Sequence, residues 1–280
     1  MQELISDPVV SVIIPTYNRY ALLLEALSSV REQTYPRIQC VVVDDGSTDG
    51  TPKISSARDI QYIGVKHTGF PGRVRNIGAQ KATGTLLAFL DSDDLWMPEK
   101  IEKQVRFLKD HPDIHICHTR EIWKRGQRII SQSGQRHIRS GNIFEDCLKK
   151  CIVGPSTVVL TKKLFMDIGA FHPDLEIAED YELWLRVSAK YAFGYIDEPL
   201  IIKRAGHADQ LSAKHGHIEI FRIRALSEDI NSDVFNDAQM AVAQKELARK
   251  CRIYARGCMK RGKRAEAVRY IALAELHGSQ

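Results

Sequence analysis

Apolar residues along this chain recur in two alternating rhythms, and the alternation predicts its architecture. Val9 to Ile14 is an apolar run broken only by Ser11 and closed by Pro15. Residues 19–33 then place Leu23, Ala26, Leu27 and Val30 on one helical stripe. Cys40 to Val43 reads as a second buried strand, stopped by Asp44-Asp45-Gly46-Ser47. A short helix near Pro52, a strand from Ile60 to Val65, a helix from Arg73 to Ala82 and a strand from Thr85 to Leu90 follow. Strands alternating with helices predict an α/β fold with a mostly parallel central sheet, right-handed crossovers and flanking helices.

Beyond Ile114 the rhythm is mixed. Short strands near 114–119, 128–131, 156–160 and 193–203 alternate with helices near 141–150, 162–168 and 180–190. This stretch extends the sheet and predicts the second wall of a cleft, with no domain boundary inside it. From Ile218 the pattern is helical. Ala238 to Met259 and Arg264 to Leu276 form two amphipathic helices joined at Arg261-Gly262-Lys263. The predicted organisation is one domain over residues 1–212 and a C-terminal helical appendage over 213–280. The Ala-rich helix pair resembles a single tetratricopeptide-type hairpin, which is too little for a repeat array.

The formal net charge of +5 is modest but unevenly spread. Lys245 to Arg269 holds ten Lys or Arg and only two Glu. Such a stretch suits either a solvated helix face or contact with an anionic surface, whether membrane, glycan or nucleic acid. The six cysteines, Cys40, Cys117, Cys147, Cys151, Cys251 and Cys258, form no Cys-x-x-Cys pair. They read as reduced, buried thiols rather than a disulfide framework. His115, Cys117 and His118 lie on a strand whose alternation sends His118 to the opposite face, which argues against a metal cluster there. No run is long enough for a membrane span and no secretion signal opens the chain. The expected location is the cytoplasm, with peripheral contact to the inner face of the membrane through the basic tail.

Polar clusters punctuate the strands. Thr16-Tyr17-Asn18-Arg19 follows the first, Asp44-Asp45-Gly46-Ser47-Thr48-Asp49 the second, and Asp91-Ser92-Asp93-Asp94 the fourth. In an open α/β sheet these strand ends share the edge at which ligands bind. Arg73, Arg75 and Asn76 begin the intervening helix. Hard carboxylate oxygens in one tight turn suit Mg²⁺ or Mn²⁺ bridged to phosphate, and arginines take phosphate charge. The plainer reading of the tetrad is an Asp-rich turn capping the helix that starts near Pro98. A carboxylate at Asp45 would accept from N3 of uracil, which is a donor, but not from N3 of cytosine. Glu179 and Asp180 open a strongly apolar helix, where carboxylates also serve simply as caps. Arg204 and His207 sit in a polar loop before the helical tail. Neither the dinucleotide Gly-x-Gly-x-x-Gly nor the Walker Gly-Lys-Thr is present, so phosphates must be held another way.

Taken together, these motifs resemble family 2 glycosyltransferases of the GT-A fold, over roughly residues 8–212. The carriers are Val10 to Arg19, Val43 to Thr51, Arg75-Asn76-x-Gly78, Phe89 to Asp94 and Glu179 to Arg186. The resemblance implies an inverting, metal-dependent transferase for cell-surface glycan synthesis. Its partners would be a UDP-sugar donor and a glycan or lipid-linked acceptor, with no nucleic acid. It implies that Thr16, Tyr17 and Asp45 hold the base, that Arg19 helps bind the donor, that Arg75 neutralises phosphate or helps fix the base, that Arg204 and His207 belong to a loop over the diphosphate, and that Asp91 meets ribose or sugar. Asp93, with His207, would ligate Mn²⁺ or Mg²⁺. Asp180 would be the general base and Glu179 its orienting neighbour. A nucleotidyltransferase would want a Gly-rich basic loop after the first strand, which Thr16-Tyr17-Asn18-Arg19 is not. The remaining alternatives are a non-catalytic nucleotide-sugar-binding member of the fold and a nucleotide-sugar hydrolase.

Overall fold

A computed structural model of the chain describes residues 7–131, 139–206 and 218–278. Its first half is the expected alternation: β1 (Val10–Thr16), α1 (Tyr20–Arg31), β2 (Ile38–Asp44), β3 (Ile60–Gly64), α2 (Pro71–Lys81) and β4 (Leu86–Phe89). The short element near Pro52 is a 3₁₀ turn over Thr51–Ser56. Then come β5 (Leu95–Trp96), α3 (Lys100–Asp110), β6 (Ile116–Arg125), β7 (Arg128–Ile130), α4 (Phe144–Lys149), β8 (Val159–Thr161) and α5 (Lys162–Asp167). The chain continues through α6 (Glu179–Lys190), β9 (Gly194–Arg204), α7 (Ile218–Ile230), α8 (Asp237–Lys260) and α9 (Arg264–Gly278).

The strands form one sheet in the order β3-β2-β1-β4-β8-β6-β9-β5, with β7 hairpinned onto β6. The β3-β2-β1-β4 half is wholly parallel. The other half is mixed: β8 runs antiparallel to both β4 and β6, β9 parallel to β6, and β5 antiparallel to β9. Only the first half is built wholly of crossover connections, because only there are all neighbouring strands parallel.

Strand alternation divides the core into two layers. Val10, Val12, Ile14, Leu86 and Ala88 pack on one face with Leu23 and Leu27 of α1 and Ile101 and Val105 of α3. Ile13, Leu87 and Phe89 point the other way, into a cluster with Leu183 and Trp184 of α6. That second cluster runs without a break into Leu226 of α7 and Leu247 and Cys251 of α8, so the C-terminal helices share a core with the sheet. Lys250, fully buried on α8, adds a polar tie by donating to the Lys149 carbonyl at 2.9 Å and Glu219 Oε1 at 2.7 Å.

Two glycines fix the spacing that matters for the site. A Cβ on Gly78 of α2 would stand 2.5 Å from Ile13 Cγ2, so the helix lies closer to β1 than any other residue permits. Gly46, at φ +80°, would meet the His67 amide at 2.8 Å, which lets the segment after β3 pass over the end of β2. All six cysteines are unpaired, five of them buried and Cys151 half-buried.

Candidate active site

The ends of β1, β2 and β4 lie side by side, with Thr16 opposite Asp44 across the first pair. At one extreme of this edge, Tyr17 stacks on His67 at 4.0 Å between ring centroids, 18° from parallel. Tyr17 remains 41% exposed, so its ring is open to a flat ligand. Asp45, beneath it, accepts from the Thr68 amide at 2.8 Å and the Gly69 amide at 2.9 Å. His67 Nδ1 lies 2.9 Å from Asp45 Oδ2 as well. Oδ2 takes two of these contacts and Oδ1 only one, so Oδ1 keeps a lone pair and Asp45 is aimed without being exhausted. Thr16 Oγ1 is buried and lacks a hydrogen-bond partner among the described residues. Asn18, in the left-handed region at φ 49°, ties the loops together by accepting from the Thr48 amide at 2.8 Å.

At the other extreme, Arg75 of α2 is 5% exposed and forks between two carboxylates. Nη2 donates to Asp91 Oδ1 and Nη1 to Glu179 Oε1, both at 2.6 Å. Burial lowers the tendency of Arg75 to hold its proton, but Asp91 and Glu179 more than restore it. Burial lifts the Glu179 carboxyl above its ordinary range against the pull of Arg75, and neighbouring Asp180 adds to the lift. Arg19 sits on Asp93, Nη1 to Oδ2 at 2.9 Å. Burial raises Asp93 too, with Arg19 opposing and Asp91 reinforcing. Asp94 holds the turn itself: its amide donates to the Asp91 carbonyl at 2.9 Å, and its Oδ2 accepts from Ser156 at 2.6 Å.

Glu179 and Asp180 reach the cleft because Ala178 turns the chain at φ 66°, a conformation that costs a non-glycine residue about 1–2 kcal/mol. Asp180 is half-buried. Its Oδ1 accepts from the Tyr181 amide at 2.7 Å and its Oδ2 from the Cys151 thiol at 3.3 Å. Burial, then the charge of Asp180, pushes the Cys151 thiol well above its ordinary value, so it stays a donor.

The structure thus gathers Thr16, Tyr17, Arg19, Asp45, Arg75, Asp91, Asp93, Glu179 and Asp180 along one edge. Arg204 ends β9 but pairs with Glu25 of α1. His207 lies outside the described residues. Sequence reasoning passed over His67, Ser156, Cys151, Glu121 and Lys203. His67 follows β3 and obeys the same strand-end rule as the other clusters. Lys203, a cation in the apolar run from Leu200 to Ile202, was the other legible signal.

Among the described residues no group of three or more His, Cys, Asp or Glu side chains is arranged to hold a metal alone. Asp93 beside Asp91 offers hard oxygens from two side chains only. That set fits Mg²⁺ or Mn²⁺ shared with a bound diphosphate, since such ions commonly keep one or two carboxylates and take phosphate oxygens for the rest. Arg19 would have to leave Asp93 first.

A parallel half-sheet ending in an aromatic platform, an Asp-x-Asp turn and a helix-borne carboxylate pair defines a GT-A-type transferase. The model of glycosyl transferase family 2 matches residues 11–169, and the chain belongs to that family. An uncharacterized glycosyltransferase of Rickettsia felis is 36% identical over 205 residues, covering 71% of this chain and 33% of that protein. This chain therefore spans about a third of that relative's length. The Escherichia coli enzyme WfgD, a UDP-Glc:alpha-D-GlcNAc-diphosphoundecaprenol beta-1,3-glucosyltransferase, is 30% identical over 185 residues, 65% of this chain and 70% of its own. Among solved structures, residues 1–349 of TarS from S. aureus in complex with UDP-GlcNAc superpose with a TM-score of 0.68 at 21% identity, covering 87% of this chain and 72% of that one. That likeness speaks for the fold.

Proposed function

We propose that this chain transfers a sugar, with inversion, from a UDP-sugar to a hydroxyl of a glycan or lipid-linked acceptor in cell-surface glycan synthesis. The observation that carries the reading is the Arg75 fork, which brings the acidic turn after β4 and the carboxylate pair opening α6 into one cleft. Tyr17 offers a face for the base, Asp45 an acceptor for uracil N3, and Thr16 an unused hydroxyl beside them. Asp91 stands toward ribose or sugar, and Arg19 and Arg75 toward the phosphates. Mn²⁺ or Mg²⁺ held by Asp93, with His207, would supply charge neutralisation at the leaving diphosphate.

The acceptor alcohol is a poor nucleophile and needs a carboxylate in reach. Asp180 fits that role: Cys151 and the Tyr181 amide fix its orientation, and Glu179 beside it is locked by Arg75. One attack from the face opposite the diphosphate inverts the anomeric centre. The outer face of α8 supports seating on an anionic membrane. Val242, Lys245, Arg249, Arg252, Ile253, Arg256, Met259 and Lys260 are all exposed there and fall within one arc of the helix, without an acid among them.

Calorimetric titration with UDP, GDP, CDP and ADP, each with and without Mn²⁺, tests the reading. Binding of UDP that strengthens with Mn²⁺ is the expected result. Preference for GDP would overturn the uracil role of Asp45. Binding of none would make the chain a non-catalytic member of its family.

A further inference from the structure

One ammonium in the cleft has no assigned task. The side chain of Lys203 on β9 makes no hydrogen bond or ion pair with a described residue, and its Nζ lies 5.4 Å from the centroid of the Trp123 ring. Burial works against its charge, but the charges of Asp94, Glu121, Asp91 and Asp180 outweigh burial and keep it protonated. Strand register explains its place. Trp123 pairs with Lys203 across β6 and β9, and Glu121, two residues earlier on β6, shares their face. Irregularities in pairing between Thr119 and Glu121 set this phase. Trp123 Nε1 donates to Glu121 Oε1 at 2.6 Å and so fixes that carboxylate. Glu121 Oε2 is buried and has no hydrogen-bond partner among the described residues. It converges with Lys203 Nζ on the bare backbone of Gly154, where an added Cβ would stand 3.1 Å from Oε2 and 3.2 Å from Nζ. An acceptor held by Trp123 and the Lys203 ammonium therefore lie together against the bare backbone of Gly154, where a side chain would crowd both.

We propose that Glu121 and Lys203 form a sugar-reading subsite, in which one hydroxyl of a neutral sugar donates to Glu121 Oε2 and accepts from Lys203 Nζ. The inference rests on the functional reading above and deepens it. Charge selects the ligand class. Four carboxylates around one ammonium disfavour a phosphate or a sugar carboxylate at this point, whereas a neutral hydroxyl satisfies both partners without adding charge. The hydroxyl belongs to the donor sugar or to the acceptor, since Ser156 and Cys151, on either side of Gly154, bond the Asp91 amide and the carboxylate of the proposed base Asp180.

The test compares Glu121→Gln and Lys203→Met with the unaltered chain. Calorimetry is run with UDP, UDP-glucose, UDP-N-acetylglucosamine and UDP-glucuronic acid, and acceptor kinetics follow with the donor that binds best. Both variants are expected to keep UDP affinity within about twofold. If the hydroxyl is the donor's, affinity for the neutral UDP-sugar falls about tenfold or more, as loss of a charge-assisted hydrogen bond predicts. If it is the acceptor's, acceptor KM rises by a similar factor at unchanged donor affinity. The unaltered chain should prefer a neutral UDP-sugar to UDP-glucuronic acid. Parallel loss of UDP and UDP-sugar binding would overturn the subsite and make Lys203 a diphosphate ligand. No change in either variant would overturn it too. Should Lys203→Met not fold, the near-isosteric Glu121→Gln decides alone. Absence of nucleotide binding by the unaltered chain removes the functional reading itself, an outcome distinct from a failure confined to the variants.

Discussion

Arg75 joins three stretches of sequence through one planar group, and lysine could not replace it because a single ammonium lacks the fork. The same economy gives the two carboxylates at the head of α6 different work. Glu179 is consumed by Arg75, while Asp180 keeps lone pairs for a substrate. Asp180→Asn should therefore lower transfer by ~10² or more and leave metal-dependent nucleotide binding nearly intact, because the base acts only on the acceptor. Asp93→Ala should do the reverse, abolishing the metal dependence of nucleotide binding. Titrating both variants with UDP and Mn²⁺ separates the roles, and equal loss of affinity in the two would contradict Asp180 as base. At this scale the location of a residue along the cleft edge was legible wherever a polar residue follows a strand or opens a helix, as with Thr16, Asp45, Asp91 and Asp180. It was silent for Glu121 and Cys151. Their placement depends on the bulged pairing of β6 with β9 and on a loop after α4, which no local pattern announces.

The elements show the same division. α1, α2 and the four parallel strands were legible because each has a full period of apolar residues. β5 was not, being two residues long, and the antiparallel course of β8 follows from its partners rather than its own composition. α7 was visible only as a helical tendency, and it carries the protein's most exposed liability to pH. Asp229 is buried on its inner side, and its Oδ2 has no hydrogen-bond partner among the described residues. Burial, aided by Glu182 and Glu228 and opposed by Arg186, pushes its carboxyl up to about 8. The native chain thus holds this proton more tightly than the unfolded chain does. Stability from it is complete below the unfolded value of 3.8 and is lost as pH rises toward 8, by up to about 1.4 kcal/mol per unit. Asp229→Asn, which mimics the protonated form, should raise Tm progressively between pH 5 and 8 while changing it little near pH 4. A constant difference across that range would show that Asp229 does not titrate with folding.

For the whole molecule, the helical tail is continuous with the core, so deleting it would uncover α6, where Arg222 and Lys250 lie over the Tyr181 ring, and confuse any binding assay. Charge reversal at exposed positions is the cleaner probe. Replacing Lys245, Arg252, Arg256 and Lys260 by Glu should reduce sedimentation with phosphatidylglycerol vesicles at least tenfold, each basic contact contributing about 1 kcal/mol, with UDP affinity unchanged. Equal sedimentation of both proteins would leave the α8 face as a solvated surface. Among the described residues no helix is long and apolar enough to cross the bilayer. The sheet order holds one more consequence. β9, the last strand in the chain, is not added at an edge but inserted between β6 and β5. On the ribosome, the four strands behind the aromatic platform are complete once Phe89 has emerged, whereas the wall bearing Lys203 waits for the end of β9. On the proposed reading, the residues meant for the nucleotide are therefore synthesised well before those meant for the sugar.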